Sequence, residues 1–116
     1  MNKPEIIVRP NGTKEWYLNC RRHREDGPAV EYASGTKEWN LNGRRHREDG
    51  PAVEYSDGTK AWYLNGQLHR EDGPAIEHAN GIKKWYLDDQ LLTFNEWTNL
   101  VGWTREQIAE YILTTE

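Results

Sequence analysis

From Ala29 to Leu41 the chain reads AVEYASGTKEWNL, in which apolar Val30, Tyr32, Trp39 and Leu41 are interleaved with polar Glu31, Glu38 and Asn40 around a Ser34-Gly35 pair. Short β-rich runs on either side of a glycine-containing turn predict a β-hairpin. The turn recurs as Asn11-Gly12, Asp57-Gly58 and Asn80-Gly81. Asn-Gly and Asp-Gly favour two-residue hairpin turns, whose central residues both need positive φ. That turn sets Ala33 opposite Thr36, Tyr32 opposite Lys37 and Val30 opposite Trp39. Val30, Tyr32, Trp39 and Leu41 then share one face, and Glu31, Glu38 and Asn40 the other. A second turn follows at Asn42-Gly43 and Asn65-Gly66, with Asn19-Cys20 and Asp88-Asp89 as degraded copies. It places Leu41 opposite Arg44 and Trp39 opposite His46, and a Glu-Asp-Gly-Pro bend leads into the next Val. In that bend Asp is expected to accept backbone hydrogen bonds, Gly to supply an unusual φ and Pro to open the next strand.

These elements repeat. Gly12, Gly35, Gly58 and Gly81 are 23 residues apart, and Trp16, Trp39, Trp62 and Trp85 keep the same step, as do His23, His46 and His69. RRHREDGPAVEY occurs at 21–32 and again at 44–55, and QLHREDGPAIEH follows at 67–78. A period of this size signals units stacked along one axis. The expected fold is mainly β: a single-layer antiparallel meander of 23-residue β-hairpin repeats, carrying Val, Trp and His in ladders on one face, with a short C-terminal α-helical cap. Four repeats, the first and last atypical, occupy 1–91, and EIIVRP fills the first strand slot, with Ile7 in the place of Val30 and Arg9 in that of Tyr32. Residues 92–116 change character. Thr93 to Glu96 and Thr104 to Gln107 read as capping boxes, and Gly102 as a helix stop. Trp97, Leu100 and Val101 would share one face of the first helix, and Ile108, Tyr111 and Ile112 one face of the second. Such helices are expected to cap the last repeat and cover part of its aromatic face, since an open sheet edge and an apolar face are liabilities.

The unit G-x-A-x-x-Y-x-x-G-x-K-x-W-x-x-N-G-x-x-H, carried by Gly27, Tyr32, Gly35, Asn42, Gly43 and His46, resembles the MORN repeat, and more closely the variant MORN repeats of bacterial and viral proteins. Arrays of HREDGPA type also resemble uncharacterised phage and giant-virus proteins. The chain departs from the pattern where Arg24, Arg47 and Arg70 replace the glycine after the histidine. The resemblance covers the repeats and not the tail. It implies a β-hairpin repeat fold used for protein or membrane contacts, without catalytic residues, and a phage-encoded binder or inhibitor of a host protein.

Hydrophobic residues make up only 35% of the 116 residues, so the core is modest, while six Trp and six Tyr against one Phe suit a thin structure whose rings lie near the surface. The formal charge of −4 argues against a broad nucleic-acid binder but leaves room for a local basic patch. Cys20 has no partner for an internal disulfide, and no run is apolar enough for a signal peptide or membrane helix, so a soluble cytoplasmic protein is expected.

His23 with Asp26, and His46 with Asp49, bring acid–base groups together, but a motif that recurs with the fold period points to architecture rather than to one asymmetric active site. No catalysis and no cofactor are expected. Three histidines one repeat apart are spread over roughly 10–15 Å per step and cannot converge on zinc. A site built from Glu48 and Asp49 alone would be exposed and weak. The leading expectation is a protein-interaction module using Trp16, Tyr17, Trp39, Trp62, Tyr63, Arg44 and Arg45, residue types that dominate binding hot spots. The alternative is a nucleic-acid or anionic-membrane binder using Arg21, Arg22, Arg44 and Arg45, with the aromatic residues as a stacking platform. The chain is expected to be a monomer or a homodimer paired along its first strand.

Overall fold

The computed structural model describes residues 3–115. The strands are β1 (Glu5–Val8), β2 (Lys14–Leu18), β3 (Arg21–Arg22), β4 (Val30–Glu31), β5 (Lys37–Glu38), β6 (Asn40–Leu41), β7 (Arg44–Arg45), β8 (Val53–Glu54), β9 (Lys60–Ala61), β10 (Tyr63–Leu64), β11 (Gln67–Leu68), β12 (Ile76–Glu77), β13 (Lys83–Leu87) and β14 (Gln90–Leu92). Helices α1 (Phe94–Val101) and α2 (Arg105–Thr115) follow. The main sheet has ten strands, in the order β1-β2-β4-β5-β8-β9-β12-β13-β14, with β3 paired to β2. The β6–β7 and β10–β11 hairpins form short ladders of their own. The result is the expected antiparallel meander with a helical cap, an elongated body of 49 × 29 × 20 Å.

The first turn of each unit is one residue longer than the sequence pattern suggests. The Gly35 N–H donates to Tyr32 O, and the Tyr32 N–H to Thr36 O, so Ala33, Ser34 and Gly35 form a three-residue loop. Gly35 alone takes a positive φ, of 99°. The residue before it stays out of the left-handed region, because its side chain accepts the N–H two residues on, as Asp57 Oδ1 does from Thr59 at 2.8 Å. The three-residue loop moves the register by one place. Val30 faces Glu38 and Glu31 faces Lys37, rather than Val30 facing Trp39 and Tyr32 facing Lys37. Tyr32, not Ala33, meets Thr36.

A one-place slip exchanges the faces. Val30 and Tyr32 therefore share their side with Glu38 and Asn40, while Trp39 and Leu41 lie on the opposite side with Glu31. The expected ladder of Val beside Trp and His does not form. One row runs Ile7, Glu15, Val30, Glu38, Val53, Ala61, Ile76, Lys84. On the tryptophan side the neighbouring row alternates in charge: Lys14, Glu31, Lys37, Glu54, Lys60, Glu77, Lys83. Opposite charges across a strand pair contribute roughly 0.2–1 kcal/mol each, so this row reinforces the register.

The second turn follows the sequence reading. Leu41 pairs with Arg44, and the His46 N–H donates to Trp39 O. Asn42 and Gly43 both take positive φ, and so do Asn19 with Cys20 and Asp88 with Asp89. The histidines join consecutive repeats. His23 Nδ1 accepts from the Asn42 N–H at 3.0 Å, His46 Nδ1 from Asn65 at 2.9 Å, and His69 Nδ1 from Asp88 at 3.1 Å.

Both capping boxes form. Thr93 and Glu96 exchange side-chain and backbone bonds, as do Thr104 and Gln107, and Gly102 ends α1 in the left-handed conformation. Trp97 is fully buried and donates from Nε1 to Arg70 O. It packs 4.6 Å from the ring centroid of Trp85, which also meets Phe94 and Tyr111. Leu100, expected on the covered face, is 67% exposed; Thr98 is buried in α1, and Ile112 of α2 is also exposed. The helices cover Trp85 and reach as far as Arg70, while Trp16, Trp39 and Trp62 stay half-buried.

Candidate functional site

HREDGP is built around its arginine. Arg47 lies 3.9 Å over the Trp39 ring, donates from Nε to Asp49 at 3.1 Å, and from Nη1 to Pro51 O and Glu54 Oε2, both at 3.1 Å. Arg24 repeats this set on Trp16, Asp26, Pro28 and Glu31, and Arg70 on Trp62, Asp72, Pro74 and Glu77. The aspartate thus accepts from the arginine side chain rather than from the turn backbone. Gly27, Gly50 and Gly73 do not take positive φ, contrary to the sequence reading. A Cβ there would sit 2.7–3.0 Å from the guanidinium carbon, so a larger residue would push the arginine out of its clamp. At the fourth tryptophan Thr93 stands in the arginine position, and the rings of α1 cover Trp85 instead. Arg47→Lys is expected to cost about 1–3 kcal/mol in urea unfolding, because an ammonium cannot make the planar fork and stack together. Asp49→Asn, at an exposed position, should cost far less.

Between consecutive arginine clamps the tryptophan side is indented. One pocket, of about 660 Å³, is lined by Arg24, Glu25, Asp26 and Gly27 from one repeat and Trp39, Leu41, His46, Arg47, Glu48 and Asp49 from the next. A second, of about 340 Å³, lies one repeat on, with Trp62, Leu64, His69, Arg70 and Asp72 in place of Trp39, Leu41, His46, Arg47 and Asp49, but without Glu71. A third occupies the same place at Trp16, Leu18 and His23, with Lys3 and Pro4 also in its lining. The rims are acidic and open to water: Asp26, Asp49 and Asp72 are 86–88% exposed. In the first pocket four carboxylates stand against two guanidiniums.

The opposite side carries a different chemistry. Glu15 is buried, and its carboxylate accepts from Arg9 Nε, Tyr17 Oη at 2.7 Å and Arg22 Nη2 at 3.3 Å. The Arg9 bond, then the Tyr17 bond, holds this carboxyl below its ordinary value against the opposing effect of burial, with Arg22 adding to the depression. Glu38 is also buried and accepts from Arg45 Nε at 3.2 Å, Asn40 Nδ2 at 3.1 Å and Tyr32 Oη at 3.3 Å. A depressed folded-state pKa contributes stability above the ordinary glutamate value, and that contribution is lost as pH falls through the folded value. Glu15→Gln should therefore flatten the acid limb of a Tm-against-pH curve below about pH 4.5; an unchanged slope there would count against the ion pair.

The candidate residues divide between the faces. Trp16, Trp39 and Trp62 lie half-buried along the pocket row, and Arg21 and Arg44 are exposed on that side, opposite Leu18 and Leu41. The Arg21 and Arg44 stems run over Gly43 and Gly66 of the next turn. Tyr17, Tyr63, Arg22 and Arg45 lie on the other face, where Arg22 and Arg45 pair with Glu15 and Glu38, and Arg45 also donates to Tyr63 Oη. Asn40, in the slot of Tyr17 and Tyr63, is buried, and its Oδ1 has no hydrogen-bond partner among the described residues. The sequence reading missed Leu41, His46 and the Glu25, Asp26, Glu48 and Asp49 rim as pocket residues; their fixed 23-residue spacing was the available signal. Among the described residues no group of three or more His, Cys, Asp or Glu is placed to hold a metal ion, and no helix is long and apolar enough to cross a membrane.

Fold and site together define a β-hairpin repeat protein with a periodic pocketed face. Comparison with protein-family models, curated proteins and solved structures returned no match to the chain.

Proposed function

We propose that this is a MORN-like, non-enzymatic protein-interaction module that receives a partner segment along its tryptophan side. The observation that carries the reading is the recurrence of one pocket, with the same Trp, Leu, His and Arg lining, from repeat to repeat. Two strands separate equivalent positions in the sheet, a step of roughly 9.6 Å. A polyproline II segment advances about 9.3 Å every three residues. A segment with Lys or Arg at every third position would lay each aliphatic stem on Trp and Leu and each cation against the acidic rim.

The test is fluorescence anisotropy with a Lys-Pro-Pro repeat peptide and a peptide of the same composition in scrambled order. Preferential binding of the periodic peptide, weakened by Glu25→Gln and Glu48→Gln at exposed rim positions, is the expected result. Equal binding of both peptides would remove the periodic reading. The alternative is a polyanion surface centred on Arg21 and Arg44, whose guanidiniums are exposed one repeat apart. Tight, salt-sensitive binding of a DNA duplex, lost in Arg21→Ala/Arg44→Ala, would favour it.

A further inference from the structure

We propose that the outer edge of β1 pairs with β1 of a second copy of this chain, in a register centred on Ile7. In the sheet order β1 has β2 on one side and no described strand on the other. The Arg9 N–H donates to Thr13 O, and Ile7 faces Glu15. Hydrogen-bonded and non-bonded positions alternate along an antiparallel pair. Glu5, Ile7 and Arg9 therefore turn their backbone groups toward β2, whereas Ile6 and Val8 turn theirs outward.

Those same two residues carry exposed apolar side chains, Ile6 at 58% and Val8 at 63%. Unpaired backbone groups and exposed aliphatic side chains on one edge form a template for another strand. A twofold axis perpendicular to the sheet keeps each face on its own side, so residues of equal parity must meet. With Ile7 opposite Ile7, Ile6 meets Val8 as a bonded pair on both sides of the axis, and every outward N–H and C=O of these residues is satisfied. Glu5 then falls opposite Arg9, joining opposite charges. The neighbouring register, with Ile6 opposite Ile6, sets Val8 against Pro4, which has no N–H to donate. It also loses the Glu5–Arg9 match. The axis leaves the two rows of tryptophan pockets on the same side of one continuous sheet, giving a bivalent surface. A four-residue strand makes a small interface, so the association is weak and reversible.

Sedimentation equilibrium of the full chain should show the mass rising from 13.6 kDa toward twice that value with concentration. Ile6→Lys/Val8→Lys, at exposed positions, should hold it at the monomer mass with an unchanged circular dichroism spectrum. The register is read by oxidative cross-linking in a Cys20→Gly background, which removes the free thiol and puts glycine at a positive-φ turn position. Ile7→Cys should give several-fold more disulfide dimer than Ile6→Cys, because facing non-bonded residues have Cα atoms about 4.5 Å apart, within disulfide reach. A monomer at every concentration would overturn the pairing. So would growth into species larger than a dimer, which would mean β1 joins a different edge. More cross-linking at Ile6→Cys than at Ile7→Cys would overturn the register.

Discussion

Arg45→Leu should lower the unfolding free energy by roughly 2–4 kcal/mol, and adding Glu38→Ala should restore most of the loss. The reason lies on the face opposite the pockets. Glu38 is 5% exposed, and its charge is balanced by Arg45 at 3.2 Å. Removing the arginine leaves a carboxylate away from water with, among the described residues, the Asn40 amide and the Tyr32 hydroxyl as its remaining donors. The third repeat already carries the double change: Ala61 stands in the glutamate position, and Leu68 in the arginine position. The chain thus exchanges the ion pair as a unit, as burial of a charge requires. Urea unfolding of the parent, both single variants and the double variant would give the coupling energy directly. If the double variant lost as much as the two single variants together, the two residues would be independent and the interpretation wrong.

Trp97→Ala should cost about 3–5 kcal/mol, the range for emptying a large aromatic site. Trp97 has no exposed surface, donates to Arg70 O at 2.9 Å, and lies against Trp85 and Trp103. Its removal opens a cavity and leaves the Arg70 carbonyl without that donor, at the junction of helix and sheet. Trp97 is the buried centre of the ring cluster in which Phe94 and Tyr111 also meet Trp85, so helical protection against hydrogen exchange should fall before that of β4 to β9. Trp97→Phe keeps part of the ring packing and loses the hydrogen bond, so it should fall between the two. A Tm unchanged in Trp97→Ala would show that the helices do not hold the last repeat.

The histidines and the REDGP clamp show how much chemistry a repeat can carry without being a reaction centre. The Nδ1 atoms of His23, His46 and His69 each accept a backbone N–H from the next turn, and each HREDGP arginine closes its own corner. Their spacing in the sequence pointed to architecture, but their partners were not legible. The His acceptor is 19 residues from its donor, and the clamp depends on a bend that lays Arg24 back over Trp16. Local patterns were read more directly. The capping boxes of α1 and α2 and the Asn42-Gly43 turn need only residues within a few positions of one another, and all formed as expected.

The 23-residue period, the hairpin units, the order of strands then helices, and the helix ends were determined by the sequence alone, because each rests on local backbone preference or on simple recurrence. The tertiary structure decided which side chains share a face. A single added residue in the Ala33–Gly35 loop, held by side-chain bonding within the turn, slides the register and sends Trp39 away from Val30. It also decided that Glu15 and Glu38 are interior, since a carboxylate in a charged stretch reads as solvated until the strand pairing places Arg22 and Arg45 over it. The pockets were decided there too, because each is lined by residues of two successive repeats and exists only where their stacking leaves a gap.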